Sequence, residues 1–342
     1  MRDRLAAVQS LRTRLLETLR PVVAHLDAYA LIDFPNYANV GDSAIYLGQL
    51  EALRALGAPR PRFICDFRTF DRAELARRIG RQGTILLTGG GSFGDLWPTA
   101  QDLREEIVRA FPGNPIVQLP QTIHFEKAEA LQRARSAFNA HDQITLLVRD
   151  GRSLEIAGNE LTAQALLCPD MAFALGTLDR PRRPVHAAMW LLRTDKESAT
   201  GPTSLPAGVQ SDWLDEPPTR LRSLSYALTN AVRRPVLGRL ARPLLRRVYE
   251  PLARQRLRRG LHLLAAGRVV VTDRLHGHIL SLLLDVPHVV LDNSYGKLAS
   301  FVATWTNGID GVHRAGSIAE AAEIAAQLLT TPAAVAHEPE RA

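Results

Sequence analysis

The densest chemistry in the chain lies in VVVTDRLHGHILSLLLDVPHVVLDNSYGK, where Asp273, Arg274, His276 and His278 crowd the junction between a β-branched strand and an apolar helix. A permanently charged guanidinium two residues from a titratable imidazole suits an anionic substrate undergoing proton transfer. His276 and His278 cannot serve one point, because helical residues two apart diverge by roughly 200°. His276 is therefore the expected acid–base group and His278 the packed one. HGH supplies neither the i,i+4 spacing nor the thiolates of a zinc site, so no metal is expected. Past the next strand, Asn293, Tyr295 and Lys297 form a polar loop able to close on the same ligand.

Five segments of the first half carry further candidates. In DFPNYANVGDSAI, Asn39, Gly41 and Asp42 occupy the turn before a helix expected from about Ser43; Gly41 can turn amides towards an anion, or Asp42 or Ser43 can simply cap the helix. In LLTGGGSFGDLWP, Gly89, Gly90 and Gly91 follow a buried strand without the spacing of a dinucleotide or Walker A loop, which disfavours nucleotide. There Ser92, Asp95 and Trp97 offer a hydroxyl, a carboxylate and a stacking face to a sugar. In QLPQTIHF, Gln121 is a neutral hydrogen-bonding candidate beside Thr122 and His124. In LLVRDGRS, Arg149 at a strand end suits a planar carboxylate or phosphate, and CPDM repeats the strand-end acid with Asp170.

Positioning these groups requires an α/β architecture with parallel sheets, since short apolar runs alternate with helical patterns throughout. AYALIDF, RFICDF, TILLTGG, PIVQLPQ, TLLVRD and ALLCPD are the expected strands of one doubly wound domain over residues 1–178, with helices beginning near Ser43, Asp71, Pro98, Glu126 and Gly151. GTLDRPRRP reads as a linker. A second α/β domain over 184–330 contains AAMWLLR, RVVVTD and HVVLDN as strands, a helix through LHGHILSLLL, and a final Ala-rich helix. Two such Rossmann-like domains place a cleft between the carboxyl ends of their sheets, where ligands of open α/β sheets bind. The N-terminal MRDRLAAVQSLRTRLLETLR reads as a surface helix.

The net charge of +7 is concentrated in one segment: Arg220 to Arg259 holds twelve Arg and one acid, about +11, leaving the rest of the chain near −4. This stretch lies in a basic helical insertion at about 195–260, with amphipathic helices expected to break at Pro235, Pro243 and Pro251. Its face suits an anionic membrane or a phosphorylated partner, or is a solvated helical surface. Nucleic acid is the least favoured partner, because Tyr226 and Tyr249 are the segment's only aromatics. No apolar run reaches the roughly 18 residues that span a bilayer. Cys65 and Cys168 sit in apolar runs as buried thiols, which suits a reducing cytoplasm.

Taken in order from Asp33 to Trp305, NVGDSAI, TGGGSFGDLW, QLPQT, VRDGRS, CPDM, TDRLHGHI and LDNSYGK together resemble the polysaccharide pyruvyl transferases of bacterial exopolysaccharide synthesis. The resemblance implies a two-domain GT-B-like fold and transfer of pyruvate from phosphoenolpyruvate onto two hydroxyls of one sugar, forming a cyclic ketal. It assigns the donor site to Arg274, Leu275 and His276, with Arg149 as the best match for a first-domain arginine. Lys297 and Asn293 are expected beside the donor. Asn39, Gly41, Asp42, Gly89, Gly90, Gly91, Asp95, Gln121 and Asp170 are expected in the loops or on the acceptor side, with Asp42, Asp95 or Asp170 as acceptor base. The chemistry implies no cofactor beyond the donor, a glycan acceptor that lipid may carry, and a cytoplasmic enzyme, peripheral at the inner membrane. The rivals are a sugar-nucleotide glycosyltransferase on the same architecture and a non-catalytic membrane-docked subunit of a polysaccharide complex.

Overall fold

The computed structural model describes residues 3–161, 164–195, 197, 209–292 and 296–330; Asn293 and Tyr295 fall outside them. Seven parallel strands form the first sheet: β1 (Tyr29–Ile32), β2 (Phe63–Cys65), β3 (Thr84–Leu87), β4 (Gly90–Gly94), β5 (Ile116–His124), β6 (Ile144–Val148) and β7 (Gln164–Leu167). Their order is β2-β1-β3-β5-β6-β7, with β4 alongside β5. The second sheet, also parallel, orders β8 (His186–Leu191), β9 (Val209–Ser211), β10 (Gly267–Thr272), β11 (His288–Leu291) and β12 (Val312–Ala315) as β12-β11-β10-β8-β9. Runs such as TILL and VVV are apolar on both faces because helices cover both sides of a parallel sheet.

In each sheet the chain adds one strand to one side of its starting strand and the remainder to the other. The winding therefore reverses between β1 and β3, and again between β8 and β10. At such a reversal the outgoing loops part and leave a crevice beyond the carboxyl ends. Ile32 pairs with Leu87, and Leu191 with Thr272, so the residues just beyond these pairs are delivered to the two crevices.

The helices are α1 (Arg4–Val23), α2 (Val40–Ala55), α3 (Arg72–Ile79), α4 (Pro98–Ala110), α5 (Ala128–Phe138), α6 (Gly151–Glu160), α7 (Arg220–Val232), α8 (Pro235–Leu264), α9 (Leu275–Leu283), α10 (Lys297–Phe301) and α11 (Ile318–Thr330). Four local expectations change. The helix expected from Ser43 begins at Val40, because Asn39 caps it by accepting the Gly41 N–H at 2.9 Å. The triple glycine is not a loop: Gly90 and Gly91 open β4, with φ of +137° at both Gly90 and Gly94, and a Cβ on Gly94 would lie 1.6 Å from the His124 carbonyl oxygen. Only glycine lets the two backbones approach that closely.

The basic segment is likewise less broken than its prolines imply. Pro235 opens α8, where a missing N–H costs little, while Pro243 and Pro251 lie inside a 30-residue helix. Each interior proline removes one backbone bond, but burial of Ala241, Leu245, Val248, Tyr249 and Leu252 holds the helix against the first domain. Tyr249 stacks on Phe34 at 4.0 Å, and a Cβ on Gly260 would meet Val40 at 2.2 Å. The segment is thus the β9-to-β10 crossover, folded back across α2.

The N-terminal helix is not merely a surface element. It buries Val8, Leu11, Leu15 and Leu19 and reaches the second domain, where Arg4 pairs with Asp285 at 2.6 Å and Arg14 lies over the Trp305 ring at 5.2 Å. One apolar core runs through α1, α2, α8 and α9 and joins the domains; two smaller cores fill the remaining faces of the two sheets.

Candidate functional site

Both crevices open into one cavity of about 510 Å³. Asp33, Asn39, Asp42, Gly89, Gly91, Ser92, Trp97 and Arg149 line it from the first domain, and Arg193, Trp213, Arg274, Leu275, His276 and Lys297 from the second. Eight of the polar positions singled out in the sequence, Asn39, Asp42, Ser92, Trp97, Arg149, Arg274, His276 and Lys297, therefore meet in space, although up to 258 residues separate them.

Arg149 is fully buried at the end of β6. Its Nε donates to Thr122 Oγ1 at 2.9 Å and its Nη1 to Asp170 Oδ2 at 2.5 Å, while Nη2 has no partner among the described residues. A Cβ on Gly91 would lie 3.0 Å from that Nη2 and 2.5 Å from Lys297 Nζ. Two cations, one from each domain, thus flank the same bare stretch of backbone. Lys297 Nζ also lies 3.5 Å from Glu197 Oε2. Leaving a guanidinium nitrogen buried without an acceptor is costly unless a ligand supplies one.

His276 stands on the first turn of α9, with Nε2 3.5 Å from Asp170 Oδ2. Burial alone would raise the Asp170 pKa, but His276 and Arg149 together hold it well below the ordinary carboxylate value. Asp170 is therefore an ionised counter-charge facing the imidazole. On its other side the His276 ring meets Gly41, where a Cβ would come within 2.4 Å of Nδ1. Gly41 serves this close approach rather than an anion loop, since its N–H is already bonded to Asn39.

Arg274 is the N-cap residue of α9 and is buried. Its Nη2 donates to Asp212 Oδ2 at 2.6 Å, its guanidinium lies over the Trp213 ring at 5.7 Å, and its Nε is buried without a hydrogen-bond partner among the described residues. Burial raises the Asp212 pKa, but the charge and hydrogen bond of Arg274 bring it below the usual value.

Other candidates stand behind the cavity wall or away from it. Gln121 accepts the Ser92 N–H at 3.2 Å and donates to the Thr88 carbonyl, bracing β4 from behind. Both carboxylate oxygens of Asp95 accept backbone N–H groups, of Glu126 at 2.9 Å and Lys127 at 2.7 Å, so its acid is committed to the loop before α5. Gly90 turns β4 and does not line the cavity. His278 is sealed in a buried chain, bonded to His288 at 2.7 Å and to Thr306 at 3.0 Å. Among the described residues, no three His, Cys, Asp or Glu side chains converge as a metal would require.

Several cavity residues escaped the sequence reading, Asp33, Arg193 and Trp213 among them. Asp33 follows β1 with φ of +73°, a region that non-glycine residues seldom occupy outside functional turns. Its Oδ1 is buried without a hydrogen-bond partner among the described residues, and burial, reinforced by Asp66 and Asp42 against the pull of Arg104, pushes its pKa up to about 7. Arg193, just past β8, grips Asp195 through two 2.8 Å bonds and reaches Glu197 at 3.1 Å. Trp213 supplies a buried aromatic wall. A signal for Asp33 was present, since an acid directly after a buried strand is the feature that marked Asp170 and Asp273.

Residues 39–295 match the model of the family "Polysaccharide pyruvyl transferase", a span that holds most of the cavity residues of both domains but neither Asp33 nor Lys297. Over 315 residues the chain is 31% identical to "Pyruvyl transferase 1" of Schizosaccharomyces pombe, covering 84% of this chain and 73% of that protein. It is 30% identical over 298 residues to "Putative pyruvyl transferase EpsO" of Bacillus subtilis, covering 86% and 90%. A solved structure from Klebsiella pneumoniae, an uncharacterised protein designated KP1_0663, superposes with a TM-score of 0.61 at 15% identity over 90% of this chain and 99% of that one, a likeness of fold. The chain is therefore a transferase and belongs to the polysaccharide pyruvyl transferase family.

Proposed function

We propose that the cavity moves pyruvate from phosphoenolpyruvate onto two hydroxyls of one sugar in a glycan, closing a cyclic ketal. The observation that carries this reading is the convergence of Arg149 Nη2 and Lys297 Nζ on the bare Gly91, in the cavity that His276 also lines. Phosphoenolpyruvate presents a carboxylate and a phosphate, and Arg149, Lys297 and the unpartnered Nε of Arg274 supply donors for both.

In this reading His276, which faces ionised Asp170, gives a proton to the methylene carbon of the donor. The enol carbon then carries oxocarbenium character and is attacked by the first sugar hydroxyl. The second hydroxyl displaces inorganic phosphate from the same carbon. One hydroxyl proton restores His276; the other is taken by Asp33 and leaves on phosphate, so the exchange balances without a cofactor. Asp33 takes the acceptor proton, because it is the carboxyl in the cavity wall whose pKa lies near neutrality. Asp42, which lines the same wall, orients the acceptor. Trp97, partly exposed and hydrogen-bonded to Glu197 at 3.2 Å, offers the sugar an apolar face. The acceptor is a glycan carried on lipid in the cytoplasm.

Phosphate release from phosphoenolpyruvate across a panel of acceptor glycans tests the reading. Release that depends on one acceptor and on His276 supports it. Turnover of a nucleoside diphosphate sugar, with phosphoenolpyruvate inert, overturns it.

A further inference from the structure

Half of the large apolar side chains exposed among the described residues belong to one helical hairpin. Of twelve, Leu224, Tyr226, Val236, Leu237, Leu240 and Leu244 are on α7 and α8. Val236 is 82% exposed and Leu240 74%, far beyond the partial exposure of a residue at the edge of a core. Val236, Leu240, Leu244 and Arg247 follow one another at intervals of four, four and three, which keeps them on a single face of α8. The adjacent face, about 100° round the helix, with Ala241, Leu245 and Val248, is the one buried on the first domain.

The charge around this stripe is one-sided. From Pro217 to Tyr249 there are eight Arg and no Asp or Glu. The structure divides these arginines. Arg242 donates to the Thr69 carbonyl at 2.8 Å, and Arg246 to the carbonyls of Arg62 and Pro61 at 3.1 and 2.7 Å, so both serve the fold. Arg233, Arg234, Arg239 and Arg247 are exposed, and their side chains have no hydrogen-bond or ion-pair partner among the described residues. Protruding aliphatic side chains ringed by unneutralised guanidinium groups match the interface of an anionic bilayer, where apolar groups enter the acyl boundary and cations meet lipid phosphates. A solvated surface accounts for the arginines but not for the exposed Val236 and Leu240.

We propose that the α7–α8 hairpin is a membrane-docking surface that seats the protein on an anionic bilayer through Val236, Leu240 and Leu244, flanked by Arg233, Arg234, Arg239 and Arg247. The hairpin is tied to the cavity rim. Asn36 donates to Thr229 Oγ1 and accepts from Ser225 Oγ, both at 3.1 Å, and its neighbours Pro35 and Tyr37 line the cavity. Docking thus brings the cavity rim close to the bilayer, where a lipid-borne glycan would present its sugar. The surface stands whatever the donor proves to be.

The test is co-sedimentation of the full chain with phosphatidylcholine vesicles, with and without phosphatidylglycerol, alongside phosphate release from phosphoenolpyruvate with a soluble acceptor. The expected result is recovery on the anionic vesicles only, fading in high salt. Replacing Arg233 and Arg234 together by Gln should weaken that binding roughly 30-fold, at about one kcal/mol per cation. Val236→Gln with Leu240→Gln should weaken it by at least about tenfold. Both double variants should keep the soluble-acceptor rate, which separates lost docking from lost folding. Equal recovery on neutral and anionic vesicles overturns the proposal, as does unchanged binding by both variants. So does a variant-sensitive shift in oligomer mass, or binding of DNA, without vesicle binding.

Discussion

Gly41 and His276, one from each domain, are packed so tightly that a single added carbon on Gly41 would sit 2.4 Å from the imidazole Nδ1. The first turn of α2 therefore fixes the ring of α9 by shape, while Asp170 fixes it by charge at 3.5 Å from Nε2. Neither contact can form until the domains have docked.

Gly41→Ala should consequently act on the imidazole more than on the fold. Overpacking costs about 1–3 kcal/mol, but a displaced His276 should lower kcat by about 10²–10⁴. Gly158→Ala is the control: no neighbour lies within 4 Å of its added carbon, so it should leave kcat unchanged and stabilise by about 0.5–1 kcal/mol, as alanine does in a helix. Thermal melts beside steady-state kinetics distinguish the two outcomes.

Donor binding and proton transfer should separate in two variants. Gly91→Ala places its carbon 2.5 Å from Lys297 Nζ and 3.0 Å from Arg149 Nη2, so KM for phosphoenolpyruvate should rise about 10–100-fold as a charge-assisted contact is lost. His276→Gln should instead depress kcat by about 10²–10⁴ with KM nearly constant. A reversed pattern would sink the assignment of roles.

Asp33 sets the expected acid limb. Burial pushes its pKa in the folded protein up to about 7, well above the ordinary carboxylate value. As a base it must be ionised, so kcat/KM should climb as pH rises through about 7, and Asp33→Asn should lose that limb. The stability effect has the opposite sense. Between the two pKa values the native state holds the proton more tightly, so stability falls as pH rises, and Asp33→Asn should melt higher than the parent above pH 7. A lower melting temperature for the variant at alkaline pH would contradict the burial account.

Asp170 behaves in the reverse sense. Its pKa is depressed, so its stabilising contribution is present above the ordinary carboxylate value and disappears as pH falls through the lower native one. Asp170→Asn leaves the guanidinium of Arg149, fully buried, without its counter-charge. That should cost about 3–5 kcal/mol, the range for breaking one side of a buried ion pair. Urea titrations across pH measure it, and an unchanged midpoint would show that the pair contributes nothing.

Local spacing carries much of this protein. The six expected strands of the first half correspond to β1, β2, β3, β5, β6 and β7, and AAMWLLR, RVVVTD and HVVLDN to β8, β10 and β11. A buried parallel strand is a continuous apolar run, and that can be read from a handful of neighbours. Arg149, Arg274 and His276 were legible for a similar reason, since strand ends of an α/β sheet are where ligands bind. β9, only three residues long, and β12, with exposed His313 and Arg314, lack that run and were not foreseen.

What the sequence by itself determined is thus the alternation of strands and helices, the family motifs and the kinds of charge placed at strand ends. Tertiary structure decided which of those charges are already neutralised. Arg246 is held by backbone carbonyls and Arg247 by nothing among the described residues, although they are neighbours in one helix. It decided too that Asp95 anchors a loop while Asp33 faces the cavity, and that α8 runs through two prolines. The reason is physical. Backbone propensity and periodicity act over a few residues, whereas burial, pKa and the need for a bare glycine depend on atoms brought together across more than 200 positions, as Gly41 and His276 are.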